Sequence, residues 1–320
     1  MHPLGIVLST ATAAPPQEFV EIGRIAEDQG FDAVFVNEGR GDALACAEAI
    51  ALGTSRIKVG TNIANIYFRH PFLAGMTATT ISELSQGRMI LGLGMSHRPL
   101  LESLGITMEQ PRQYMRGYVT ALNTLFRGES LSAFHRPQQS NYSVPVYVGA
   151  VTVESAEIGG ELADGIMPFL PALPYLTQLV EAAQAAAQRV GRDPDQVGCI
   201  VSIPTFISDD IEQARSAARY NLAFFGNLPF YRKQWRRCGF RDEVTAMQEA
   251  WKSGNRRAAA ACVSEAMVDQ VCVFGPPSQC REQLAAFHEA GAAMPVLAVS
   301  PVNEDRLVAT RKALDLLAPG

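Results

Sequence analysis

The sequence predicts a parallel α/β fold of eight βα units, and two observations carry that prediction. Short apolar runs rich in valine and isoleucine lack polar alternation, as strands buried on both faces do. They alternate with helical stretches from one end of the chain to the other, many opened by proline and closed by glycine.

The first strand is expected at 4–8 (Leu-Gly-Ile-Val-Leu), before a helix over 17–29 that Pro15-Pro16 opens and Gly30 stops. The second, 33–37, reads Ala-Val-Phe-Val-Asn. The third, 57–61, precedes a helix running from Pro71 to Gly87. The fourth, 89–93, leads to a helix from Pro111 to near Gly128. Strands at 144–149 and 165–169 are each followed by an alanine-rich helix, over 155–163 and 174–190. The seventh strand spans 198–206 and the last 295–299, flanked by helices at 278–290 and 305–317. Between them, 209–267 is longer than one crossover helix needs. It holds several helical patterns broken by Gly226, Pro229, Gly239 and Gly254, and is expected to be an insertion at the rim. No linker or composition shift divides the chain, so 1–320 is expected to form a single domain. Eight units suit either an open doubly wound sheet or a closed barrel.

With 48% hydrophobic and 18% charged residues, the chain has the balance of a globular protein with a large core. A net charge of −5 disfavours nucleic acid and anionic membrane as partners, leaving a small-molecule substrate as the expected one. The basic cluster Arg232, Lys233, Arg236 and Arg237 is read as a solvated helix face. Six cysteines show no zinc or disulfide spacing and fit reduced thiols in the cytoplasm. The N-terminus lacks signal-peptide features, and no apolar stretch reaches membrane-spanning length. Five histidines, at 2, 70, 97, 135 and 288, show no metal-ligand spacing, so no metal is expected. Phosphate-loop, zincin and nucleophile-elbow patterns are absent.

In a parallel α/β fold, chemistry sits at the C-terminal ends of strands. The second strand runs into Glu38, a carboxylate that can serve as acid, base or substrate anchor, or can pair with Arg40 or cap the next helix. The third ends Thr61-Asn62-Ile63-Ala64-Asn65, small and polar enough for a planar ligand to approach, or an ordinary turn. The fourth ends Gly94-Met95-Ser96-His97, and His97 can exchange a proton near neutral pH. The fifth ends Gly149-Ala150-Val151-Thr152-Val153 before a helix, where free N–H groups can bind a phosphate and Thr152 can cap. Phe224, Phe225, Phe230, Tyr231 and Trp235 either roof the site or pack a helix.

These residues resemble the luciferase-like flavin and deazaflavin oxidoreductases along nearly the full length. Carrying segments include Glu38-Gly39-Arg40-Gly41-Asp42, Gly60-Thr61-Asn62-Ile63-Ala64-Asn65, Arg69-His70-Pro71, Leu84-Ser85-Gln86-Gly87-Arg88 and Leu91-Gly92-Leu93-Gly94. The Thr-Asn-Ile-Ala-Asn-Ile run, Arg-His-Pro and Ser96-His97 resemble the branch using coenzyme F420, a 5-deazaflavin. The resemblance implies a closed (β/α)₈ TIM barrel with a helical insertion before the last strand. It implies a non-prolyl cis peptide at Asn62–Ile63 or Ile63–Ala64, backing the cofactor ring. Thr61 to Asn65 and Ser96 would then hold the ring and Gly149 to Val153 the phosphate, with Glu38 and His97 catalytic. Well-studied deazaflavin dehydrogenases of this superfamily have a histidine after strand two and a glutamate after strand four, so the two residue types are exchanged here. Many members also carry Gly-Pro where this chain has Thr152-Val153. The leading expectation is hydride transfer between coenzyme F420 and a small organic substrate, in a homodimer. The alternatives are an FMN-dependent monooxygenase using dioxygen and a cofactor-free barrel that binds without catalysis.

Overall fold

The computed structural model describes residues 2–12, 14–133 and 140–319, so His135 lies outside the described part. Strands β1 (Gly5–Ser9), β2 (Ala33–Asn37), β3 (Lys58–Asn65), β4 (Met89–Gly94), β5 (Val146–Gly149), β6 (Gly165–Met167) and β7 (Gly198–Ile207) pair in sequence order, all parallel. β7 then pairs with β9 (Met294–Val299) and β9 with β1. The sheet therefore closes into an eight-stranded (β/α)₈ barrel, which decides between the two architectures open to eight βα units. A short extra strand, β8 (Val273–Gly275), pairs with Thr205–Ile207 at the end of β7.

Helices α1 (Pro16–Asp28), α2 (Ala43–Gly53), α3 (Pro71–Leu84), α4 (Arg98–Ser103), α5 (Pro111–Phe126), α6 (Val153–Leu162) and α7 (Leu173–Arg189) follow the first six strands. Between β7 and β8 come α8 (Ile211–Gly226), α9 (Pro229–Arg237), α10 (Arg241–Lys252), α11 (Arg256–Ala261) and α12 (Glu265–Val271). α13 (Pro277–Glu289) leads into β9, and α14 (Arg306–Leu317) ends the described chain. No helix among the described residues is long and apolar enough to cross a membrane.

The barrel interior is filled by Ala33, Phe35, Ile90, Met167, Ile200 and Val296, with Val7, Ile63 and Tyr147 partly buried against them. Side chains of opposite parity pack outward against the helices. The helices between β7 and β8 have a core of their own, built on Trp235, Phe206, Phe274, Leu222 and Met247 and joined by Leu170.

Four elements differ from expectation. β3 continues four residues past Thr61, through an irregularity that shifts its register on β4. α2 has leucine, isoleucine and alanine around its whole circumference, so it lacks the amphipathic period that marks a helix. β8 and α4 are too short to show a period at all.

Candidate active site

The floor of the barrel mouth is the end of β3. Thr61 pairs with Leu91, whereas Ala64 pairs with Leu93, so β3 carries one extra residue there. The Asn62–Ile63 peptide within this bulge is cis, one of the two bonds expected to be. Thr61 is fully buried, and its hydroxyl donates to Gly92 O at 2.7 Å and accepts from Gly92 N–H at 3.1 Å. Its side chain therefore ties two strands together and offers a ligand nothing. Asn62 Nδ2 reaches across to Ser202 Oγ on β7, at 2.9 Å. Ile63 lies over Gly94, where an added Cβ would sit 2.3 Å from Ile63 Cδ1. Ala64 and Asn65 are buried; Asn65 Oδ1 accepts from Tyr67 N–H, while its Nδ2 has no partner.

Glu38 follows β2 and is fully engaged. Its Oε2 accepts from Asn65 N–H at 2.6 Å and from Arg69 at 3.1 Å, and Arg69 also bonds Oε1 at 2.5 Å. Burial opposes the Arg69 charge, but the Glu38 hydrogen bonds and the Glu38 and Asp42 charges outweigh it and hold the pKa above its ordinary value. The pair is neither of those weighed from sequence. Arg40 is not the partner, and Asp42 caps α2 by accepting from Leu44 and Ala45 N–H. Glu38 thus fixes the turn that carries Asn65, with both of its oxygens held by hydrogen bonds to Asn65 N–H and Arg69.

His97 lies three residues beyond the end of β4. Ser96 before it has a left-handed φ of 60°, which turns the chain sharply at this point. The His97 ring stacks on Phe230 of α9 at 4.8 Å between centroids, and its buried Nδ1 has no hydrogen-bond partner. Burial lowers its pKa, favouring the neutral ring.

The β5–α6 turn is already capped. Thr152 Oγ1 accepts from Ser155 N–H at 3.2 Å, the conservative reading of this residue. Ala150 N–H is committed to Met167 O, Val151 packs against the β7–β8 helices, and Val153 is exposed. Glu154 in the first turn is held below the ordinary carboxylate range by its own backbone N–H, then by the Thr152 hydroxyl and by Arg237 and Arg112. Arg112 lies 3.7 Å and Arg237 3.9 Å from the Glu154 carboxylate. Two cations thus converge on the Glu154 carboxylate at a helix N-terminus, and a bound anion would share them with Glu154. Sequence reading missed both: Arg237 belongs to the cluster taken for a solvated face, and Arg112 sits in a helix with no motif.

A cavity of about 580 Å³ opens between the ends of β1, β2, β7 and β9, and none of the site residues expected from sequence at the ends of β2 to β5 lines it. Of the aromatic residues of α8 and α9, Phe224 and Phe225 line this cavity and Phe230 covers His97. Tyr231 and Trp235 are instead buried in the helical core, with Trp235 Nε1 donating to Leu170 O at 3.1 Å. A second cavity of about 460 Å³ lies at the far end of the barrel beside α5 and the start of β5, away from every strand-end residue named above.

Residues 3–294 match the family model for luciferase-like monooxygenases. A 5,10-methylenetetrahydromethanopterin reductase of Archaeoglobus fulgidus is 27% identical over 311 residues, covering 92% of this chain and 91% of that protein. The coenzyme F420-dependent tetrahydromethanopterin reductase of Methanopyrus kandleri superposes with a TM-score of 0.81 at 21% identity, covering 99% of this chain and 98% of its own. An FMN-bound oxygenating component of 3,6-diketocamphane monooxygenase from Pseudomonas putida superposes with a TM-score of 0.69 at 16% identity, covering 99% and 97%. The chain belongs to the luciferase-like monooxygenase family.

Proposed function

We propose that the protein is an oxidoreductase that moves a hydride between coenzyme F420 and a small organic substrate. The observation that carries this is a set of buried polar atoms without protein partners at the strand ends: Asn37 Oδ1, Asn65 Nδ2, Tyr67 Oη and His97 Nδ1. A buried polar group left unpaired costs about 1–3 kcal/mol, so such a cluster at one end of a barrel fits the polar edge of a ring cofactor. The residues present therefore suit a deazaflavin. The Asn62–Asn65 bulge would back the ring, Ser96 and His97 would meet its edge, and the 149–153 turn with Arg112 and Arg237 would hold its phosphate. Bound there, a deazaflavin supplies a carbon-centred two-electron hydride donor or acceptor.

In this reading His97 exchanges the substrate's proton, supported by a ring that burial keeps neutral and an Nδ1 without a protein partner. Glu38 acts through Arg69 and Asn65 as a positioning residue. Phe224, Phe225 and Phe230 exclude water from the mouth.

Titration of the purified chain with oxidised F420 and, separately, with FMN tests the reading. F420 is expected to bind and FMN to bind more weakly, with Arg112→Ala and Arg237→Ala each weakening F420 by about ten-fold through loss of a charge-assisted contact. Binding of FMN alone, with flavin-dependent oxygen consumption, would replace this reading by the monooxygenase one. Binding of neither would favour a cofactor-free barrel.

The same reading includes a homodimer in the cytoplasm. Six free thiols suit a reducing compartment. α2 and α3 are apolar around their circumference yet lie outside the barrel, leaving Leu52, Leu73, Met76 and Leu84 exposed. A helix of that kind needs cover on its outer face. Sedimentation velocity is expected to show a dimer that Leu73→Glu with Met76→Glu splits; a monomeric native chain at micromolar concentration would remove this part of the reading.

A further inference from the structure

The mouth cavity contains a cation, Arg306, with no ion pair among the described residues. Arg306, the first residue of α14, lines the wall formed by the end of β9. Its one side-chain hydrogen bond among the described residues runs from NH1 to Val299 O, at 2.8 Å. None of those residues gives it an ion pair. The neighbouring charges are spent elsewhere: Arg311 pairs with Glu18, Lys312 with Glu304 and Arg215 with Asp269. Asp305, adjacent in the chain, caps α14 by accepting from Leu307 N–H at 2.7 Å. Burial pulls the Arg306 pKa down and the Asp305 charge offsets this only in part, yet a guanidinium stays charged in proteins.

A buried or half-buried charge is ordinarily paired, because desolvation without a counter-charge is costly. Here the guanidinium faces a cavity instead. The rest of the lining is of two kinds. Phe169, Phe224 and Phe225 form an apolar side, and the amides of Asn37 and Asn221, each with an unpartnered carbonyl oxygen, form a neutral polar one. Among the described residues, no carboxylate lines the cavity.

We propose that Arg306 anchors an anionic group of the substrate. The ligands of this site then carry an oxyanion, carboxylate or phosphate, at one end and an apolar body that packs on the three phenylalanines at the other. A planar fork of donors suits either oxyanion. This rests on reading the mouth as a substrate site, and it specifies a substrate class that neither the fold nor the family membership supplies.

Calorimetric titration of the full chain tests it, with matched probes and no turnover, both without and with F420. The probes are phenylacetate against phenylacetamide, 4-phenylbutyrate against 4-phenylbutyramide, and phenyl phosphate against phenol. At least one anionic member is expected to bind about ten-fold or more tightly than its neutral mate, the gain of one charge-assisted contact. Arg306→Gln is expected to bring that pair within about two-fold of each other, whereas Arg306→Lys keeps part of the preference and Arg311→Gln keeps all of it. Circular dichroism melts check that each variant folds, and the lysine variant serves if the glutamine one does not. A preference led by phenyl phosphate points to a phosphate ester, and one led by the acids to a carboxylate. Equal binding within every pair, under both conditions, overturns the proposal, as does a preference that survives Arg306→Gln. Failure of F420 to bind while the anion preference stands would overturn the hydride-transfer reading alone.

Discussion

His97 shows how burial sets the state from which chemistry starts. Its lowered pKa keeps the ring neutral at pH 7, with one ring nitrogen able to accept a proton and the other to donate one. The sign of the linkage follows. The unfolded ring takes up a proton near its ordinary value of 6.5, while the folded ring resists until lower pH. Its contribution to stability is therefore full above 6.5 and is lost as pH falls through the folded value. Urea unfolding of the wild type and His97→Gln at successive pH values between 7 and 5 is expected to show the wild type losing ground to the variant below 6.5. A constant difference across that range would mean the ring is not held neutral. Glu38 makes the complementary point. Its position after a strand is legible from sequence, but its partner is not. Arg69 lies 31 residues away and reaches the carboxylate only once β2 and β3 stand side by side.

At the scale of elements, the β3–β4 pair is the tightest part of the site. A Cβ on Gly92 would sit 2.1 Å from Thr61 O and 2.3 Å from Met167 Sδ, so Gly92→Ala forces backbone apart. Overpacking of this kind costs about 1–3 kcal/mol, which a shift in urea midpoint at constant slope measures. An unchanged midpoint would show slack in the barrel interior. The barrel strands themselves were legible because parallel strands buried on both faces are continuous apolar runs, as Ala33–Asn37 and Met89–Gly94 are. The extension of β3 to Asn65 was not, since polar residues such as Asn62 and Asn65 at a strand end read as a turn. The family resemblance, not periodicity, located the cis bond there. The phenylalanine and the tyrosine of α9 could not be sorted by spacing. Phe230 and Tyr231 are adjacent, yet one covers His97 and the other is buried in the helical core.

At the scale of the whole molecule, two hydrophobic bodies share one strand. The barrel closes through its own strands, while the helices between β7 and β8 gather round a separate core and are tied back by Trp235 to Leu170 O and by Gln234 to Phe169 O. That division has an optical consequence. The chain has two tryptophans, Trp235 and Trp251, and both lie in the helical body, on α9 and α10. Intrinsic fluorescence is therefore a reporter on the roof, and far-ultraviolet dichroism a reporter on the molecule at large. Heated slowly, the emission is expected to redden before the ellipticity falls, because a body with a core of its own can open sub-globally at lower free energy than the barrel. Coincident curves would mean that the two cores melt as one cooperative unit. If the emission does lead, then a ligand that bridges Phe225 and the strand ends would bring the two curves together, so that the colour of two indoles, neither lining the cavity, would register its occupancy.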